Sequence, residues 1–347
     1  MTIAVTLYDT SALLGLYREV PAPSNYFRAL GFPNVVVFDD EYVDFEKIRE
    51  GRKLAPLVVP TSQGRPVYSE ASTVTRIKPA YLKPKDPVSM NRVVKRRPTE
   101  NLFAPNAQTP QQRYNAIIGD ILRVHRETID RREEWMAARA LIDGKVTLEG
   151  PDYPTRVVDF QRAPNHTVTL VGSFWSDPAH DIMGDIQTWI DRVRRAPFGG
   201  PCDRLTVGAD VIGHMLKNAS VIKQLDTQVR GTNADLNTGL RSGEYIEYIG
   251  KLGPNLQLWV NSDFYELADG TAVPFLEPKR VLLSGPNIQG VRCFGAILDQ
   301  AAGFRAMAVF PKMWTSEDPP ATFVMSQSAP LPVPVNPNNT LAATVLA

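Results

Sequence analysis

The residues best placed to do chemistry are Asp177, His180 and Asp181 in the run Asp177-Pro178-Ala179-His180-Asp181, with Asp185 just beyond. Oxygen and nitrogen donors at that spacing suit a divalent cation that activates water, the chemistry of a metal-dependent hydrolase. The same residues suit a polar turn whose Asp181 or Asp185 caps the next helix, and that reading is favoured. Asp39-Asp40-Glu41 follows the apolar Val35-Val36-Val37-Phe38 and sets carboxylates at a strand end, where a hard cation would sit. A solvated acidic turn is again preferred. His125, His166, His180 and His214 are scattered, and none has another His or Cys at ligand spacing. Cys202 and Cys293 lack paired spacing and an obvious neighbouring base. That speaks against a thiol nucleophile or a disulfide framework and for a reducing compartment. There is no phosphate loop, dinucleotide glycine fingerprint or G-x-S-x-G elbow. No catalytic residue, metal or cofactor is expected, and the weight moves to a structural role.

Charge is more informative. The 347 residues carry a net charge of +1, yet it is unevenly spread. Residues 51–98 hold eleven basic side chains against Glu70 and Asp86, while residues 39–50 hold six acidic against two basic. Such a basic stretch can neutralise phosphates, or it can meet an acidic surface on the same chain or on another copy. Tyr68 and Tyr81 are its only aromatics, which disfavours single-strand binding by base stacking. Pro56, Pro60, Pro66, Pro79, Pro84, Pro87 and Pro98 remove ladder donors and fix φ, so the segment is read as extended, edge-like or hairpin. Its apolar residues are too few to close a core. Such an arm needs something else to lie on.

The elements around it are α+β. The length suggests two domains, or one with large projections. No apolar run approaches the roughly 20 residues that cross a bilayer, and the start of the chain lacks the features of a secretory signal. Thr109, Pro110 and Gln112 form a capping box, and Tyr114, Ile118, Ile121, Leu122, His125, Ile129, Met136 and Ala140 keep helical spacing up to Gly144. The pattern predicts one long helix with a narrow buried stripe and a charged middle, where Arg126 would pair with Asp130 and Glu127 with Arg131. Short strands are expected at 145–149, 156–160, 166–170, 256–260, 280–283, 291–297 and 305–309. A hairpin closes at Asp269-Gly270, and helices are expected at 185–195, 208–217 and 220–228. The Pro-rich tail after Phe323 can only be edge strand or polyproline-like.

Three strings then carry a resemblance. Pro79-Ala80-Tyr81-Leu82-Lys83-Pro84-Lys85 comes first, and Gly290-Val291-Arg292-Cys293-Phe294-Gly295 second. The third is Pro311-Lys312-Met313-Trp314, Asp318-Pro319 and Phe323-Val324-Met325-Ser326-Gln327-Ser328-Ala329-Pro330-Leu331. In that order they resemble the major capsid proteins of the bacteriophage lambda type, over most of the chain from about residue 50. The resemblance is weakest in the first 50 residues and around 196–245. It implies the Hong Kong 97-type capsid fold, an α+β architecture. An N-terminal arm would span 1–49 and an extended β-hairpin loop 50–94. A peripheral domain with a long spine helix would span 95–176 and 305–347, and an axial domain 177–304.

The function so implied is a major capsid protein, not an enzyme. It would self-assemble into hexamers and pentamers of an icosahedral phage head enclosing double-stranded DNA. Its implied partners are other copies of itself, a portal, a scaffold or maturation protease, a decoration protein and non-specifically held DNA, with no membrane. It would reside in the virion, and in the host cytoplasm before assembly. Arg65, Arg76, Lys83, Lys85, Arg96 and Arg97 are the candidate intersubunit residues. The runner-up is an encapsulin-like shell around cargo enzymes. A DNA-binding protein using residues 51–98 and a metal hydrolase built on His180 follow at a distance.

Overall fold

The computed structural model describes residues 10–19, 25–40, 42–48, 72–88, 109–150, 153–226, 245–253, 255–267, 269–303, 307–316 and 321–347. Its organising element is the helix Pro110–Ile142, 33 residues and so about 50 Å long. It starts where the capping box predicts: Gln112 N–H donates to Thr109 Oγ1 at 3.3 Å, and Thr109 N–H donates to Gln112 Oε1 at 2.9 Å. At the other end Gly144 takes φ +69°, a left-handed conformation that stops the helix. The guanidinium of buried Arg162 then donates to the last carbonyls, Leu141 O at 2.7 Å and Ile142 O at 2.8 Å.

Every residue of the predicted apolar stripe, Tyr114 to Ala140, is buried. The stripe serves two cores in succession. Tyr114, Ile117, Ile118, Ile121 and Leu122 pack with Leu13, Val88 and Val324. Met136, Ala137, Ala140 and Leu141 pack instead with Tyr26, Phe27, Trp259, Leu282 and Ala342. The charged middle departs from expectation. Asp130, Glu133 and Glu134 are buried rather than solvated, because the N-terminal helices Thr10–Glu19 and Tyr26–Gly31 lie on them. Arg126 does reach Asp130 (3.7 Å), but Glu127 pairs backwards with Arg123 at 2.9 Å rather than with Arg131.

The larger core surrounds a sheet with the order 167–169, 340–344, 280–284, 204–208, 256–261, 246–252 and 225–226 among the described residues. Strand periodicity sorts its two faces. Leu205, Val207, Leu258, Val260, Val281, Leu283, Leu341 and Ala343 meet the amphipathic helix Ile182–Arg195 and the short helices Ala209–Met215 and Ala219–Gln224. Trp259, Leu282 and Ala342 turn to the long helix. Both faces of the central strands are covered, so apolar residues such as Leu205, Val207, Leu258, Trp259, Val281 and Leu282 point both ways along them.

Two differences follow from this sheet. The strand Thr340–Thr344 is interior, not part of an extended tail, and it pairs with 280–284 and 167–169. The predicted helix 220–228 ends at Gln224, because Leu225-Asp226 pairs with Lys251-Leu252.

A second sheet, 310–316 with 321–327 and 85–88, lies under the first half of the long helix. The strand expected at 305–309 thus begins at Phe310, where its partner Gln327 begins to pair. A third sheet has the order 34–37, 291–294, 330–333, and its Pro330–Val333 strand is an edge, as proline demands. The hairpin 264–266 to 272–274 turns at Gly270 with φ +82°.

Candidate intersubunit site

A strand of the basic segment lies on one of the acidic segment. Strand Ser72–Ile77 pairs antiparallel with Val43–Ile48, which sets Asp44 opposite Arg76. The exposed Arg76 guanidinium lies 3.7 Å from Asp40 Oδ2 and 4.8 Å from the centre of the Tyr42 ring. Asp40 of Asp39-Asp40-Glu41 is therefore an ion-pair partner within the same copy, though a wet pair of this kind contributes little. Lys83 lies over the ring of Tyr81 at 5.1 Å. Lys85 lies over Phe323 at 4.2 Å and Trp314 at 5.2 Å, two rings stacked 5.6 Å apart. Lys83 and Lys85 are thus brought to the 310–327 sheet, whereas Arg76 sits apart on Asp40. Arg65, Arg96 and Arg97 lie outside the described residues.

The three strings that carried the resemblance converge. Leu82 and Ser328 exchange backbone hydrogen bonds of 2.8 and 3.0 Å, and Ser326 N–H donates to Pro84 O at 3.1 Å. The Tyr81 hydroxyl donates to Ala296 O and accepts from Leu298 N–H at 3.0 Å. Gly295 N–H donates to Ala329 O at 3.0 Å, and Cys293 stands opposite Leu331 in the adjoining strand pair. The long helix contributes His125, buried, with Nδ1 3.1 Å from Ser326 Oγ and Nε2 3.0 Å from Asp86 Oδ2. Burial lowers its pKa despite Asp86, so the imidazole bridges the strands as a neutral group. Sequence reasoning found the strings but not their meeting. A signal was present: Ser326-Gln327-Ser328, wholly buried inside an apolar strand, has to find hydrogen-bond partners.

A second cluster fastens the N-terminal helices. Arg28 donates to Asp130 Oδ1 at 2.8 Å and Glu133 Oε2 at 3.1 Å, while Arg292 lies 3.9 Å from Glu133. Glu134 accepts from the backbone of Phe27 at 2.6 Å and of Arg28 at 2.9 Å. Burial pushes the carboxyls of Glu133 and Glu134 up to about 7, against the opposing pull of these donors.

The residues once considered for metal chemistry form a closed turn. Asp181 Oδ1 accepts from Gly184 N–H at 3.0 Å and caps the helix, as the favoured reading expects. Asp185 Oδ2 accepts from Trp175 Nε1 at 2.9 Å and stands 2.7 Å from His180 Nε2, whose Nδ1 is 2.7 Å from Ser173 Oγ. Asp177 accepts from Ala179 N–H. Among the described residues no three His, Cys, Asp or Glu are grouped to hold a metal. Both thiols are buried, which pushes each up to about 12 and leaves them poor nucleophiles at neutral pH. Among the described residues no helix is long and apolar enough to cross a membrane.

Among the described residues a long helix spans two sheets and the segment 82–88 lies along the strand 321–327, an arrangement of the Hong Kong 97 type. The family described as phage major capsid protein E matches residues 9–345, and the chain belongs to it. It is 30% identical to the major capsid protein of Enterobacteria phage P21, over 98% of this chain and 99% of that one. It is 27% identical to the major capsid protein of Escherichia phage lambda, over 96% and 98%. Its fold superposes on the crystal structure of the putative capsid protein of an E. coli CFT073 prophage with a TM-score of 0.77 at 26% identity, covering 99% of this chain and all of that one. The chain is a structural protein of a phage head, not an enzyme, and its place is the virion shell.

Proposed function

We propose that copies of this chain form hexamers and pentamers that close into an icosahedral head around double-stranded DNA, after synthesis in the host cytoplasm. In this reading residues 1–49 act as an arm and 50–94 as the loop lapped over a neighbour. Residues 95–176 and 305–347 are peripheral and 177–304 axial, with the strand 340–344 crossing into the sheet that carries 204–284. Arg65, Arg76, Lys83, Lys85, Arg96 and Arg97 contact neighbouring copies. A portal, a scaffold or maturation protease, and a decoration protein complete the particle. The observation that carries the intersubunit part is the exposure of Arg76 and Lys83, cations held at the surface on a segment pinned at both ends.

The test is negative-stain microscopy of the purified chain with Lys83, Lys85, Arg96 and Arg97 all changed to Glu. A soluble, folded, unassembled protein is expected. Lys85→Gln alone is the control, because Lys85 also rests on Phe323, and it should still assemble. Normal particles from the fourfold variant would remove the charge-register idea. Wild-type particles should also loosen as salt screens these contacts.

A further inference from the structure

A cleft of about 550 Å³ opens between the last two turns of the helix Ile182–Arg195 and the turn Ala163–His166. Two guanidiniums line it. Arg192 is held in place by donating to Asn165 O at 2.8 Å, and Arg195 makes no ion pair among the described residues. The one carboxylate of the lining, Asp191, is 3.7 Å from Arg194 and accepts from Gln187, so part of its charge is spent outside the cleft.

The third feature is His166, fully buried in the wall. Its Nδ1 lies 2.9 Å from the Thr340 carbonyl oxygen, which only accepts, so Nδ1 carries the proton. Nε2 is then a bare lone pair, with no hydrogen-bond partner among the described residues. Burial, with Arg162 and Arg192 nearby, lowers its pKa and keeps the ring neutral. An unmet buried acceptor of this kind is unfavourable until a donor reaches it.

The two requirements select a ligand. Guanidiniums take anionic oxygens, in fork-like pairs where geometry allows. A neutral Nε2 takes a hydroxyl. Both are offered by one group, a phosphate or phosphate monoester holding one proton, whose second pKa is about 6. We propose that the cleft binds such a phosphate, free or at the end of a nucleic-acid strand. The P–O⁻ oxygens rest on Arg192 and Arg195, and the P–OH donates to His166 Nε2.

Sulfate has the same shape but no proton at neutral pH, which makes it the discriminating probe. Calorimetry of the full chain near pH 6 should show saturable binding of inorganic phosphate, with sulfate weaker by about tenfold. Arg195→Gln, at an exposed position, should weaken phosphate about tenfold with no change in melting temperature. The His166 ring-proton resonance, assigned with a His166→Asn variant, should move with phosphate and not with sulfate. A short oligonucleotide bearing a 5′-phosphate competes if the source is a strand end, and fails to compete if the site serves free phosphate. Equal binding of sulfate, an indifferent Arg195→Gln, or no saturation by about 20 mM phosphate would each overturn the proposal.

Discussion

Glu134 caps a helix that begins more than a hundred residues before it: its Oε1 takes the Phe27 N–H at 2.6 Å. Asn25, the residue in the capping position, makes no side-chain cap of its own. The free N–H groups of this short helix are thus satisfied across the fold, by a carboxylate lodged at its positive end.

Removing that carboxylate should therefore loosen the N-terminal segment before anything else. Glu134→Ala leaves two buried N–H groups unmet and should destabilise the chain by about 2–3 kcal/mol in urea unfolding. Glu134→Gln keeps one acceptor oxygen and should lose less. Amide exchange faster at Phe27 and Arg28 than in the core would locate the effect, and equal loss from both variants would argue against the cap.

The same cluster sets a pH dependence with a definite sign. Glu133 and Glu134 have carboxyls pushed up to about 7 by burial, above the ordinary 4.5. Each therefore binds its proton more firmly folded than unfolded, and the associated stability is present below about 4.5 and lost as pH rises through about 7. Tyr17, Arg28, Arg126, Asp130, Arg292 and Asp263 are the charged and titratable groups facing the pair. Unfolding of the unassembled chain should show this decline in wild type and much less of it in Glu133→Gln. A decline that persists undiminished in the variant would assign it to other groups.

Arg162 has no conservative substitute. Its guanidinium reaches Leu141 O, Ile142 O and Thr167 Oγ1 together, at 2.7, 2.8 and 2.7 Å. Burial lowers its pKa to about 10, which still leaves it charged at neutral pH. Lysine concentrates its three donors on one nitrogen, without the planar fork that spreads Nη1 and Nη2 over both helix carbonyls and Thr167. Arg162→Lys should destabilise by about 1–3 kcal/mol and Arg162→Ala by about 3–5 kcal/mol, read from denaturation midpoints.

Gly290 is a place where only hydrogen fits. A Cβ there would overlap Gly31 O and the ring of Phe32, while Gly290 N–H donates to that same oxygen at 2.8 Å. Gly290→Ala should part the strands 34–37 and 291–294 and cost about 1–3 kcal/mol. A variant as stable as wild type in urea unfolding would mean the backbone yields more easily than its packing indicates.

The long helix was legible because its signals are local: Thr109, Pro110 and Gln112 at one end, spacing along its length, Gly144 at the other. The short strands and the proline edge at 330–333 follow from equally local rules. What escaped was long-range. Asp130, Glu133 and Glu134 look solvated in sequence because nothing nearby in the chain announces Arg28 and Arg292. Thr340–Thr344 contains two alanines and has modest strand propensity. It is a strand because Ala342 lets the long helix approach while Leu341 and Ala343 fill the opposite core. Of the intersubunit candidates, the cationic character of Arg76, Lys83 and Lys85 was plain, but their resting places on Asp40, Tyr81 and Phe323 were not.

The position of that strand governs the order of events at the ribosome. Thr340–Thr344 is wedged between 167–169 and 280–284, so a nascent chain carries a gap in its principal sheet until translation has passed residue 344. From the time they are made until that strand arrives, Leu283, Val281 and their neighbours stay uncovered along the gap, which makes the unfinished polypeptide a customer for chaperones. A chain cut before residue 340 therefore lacks the strand that joins 167–169 to 280–284.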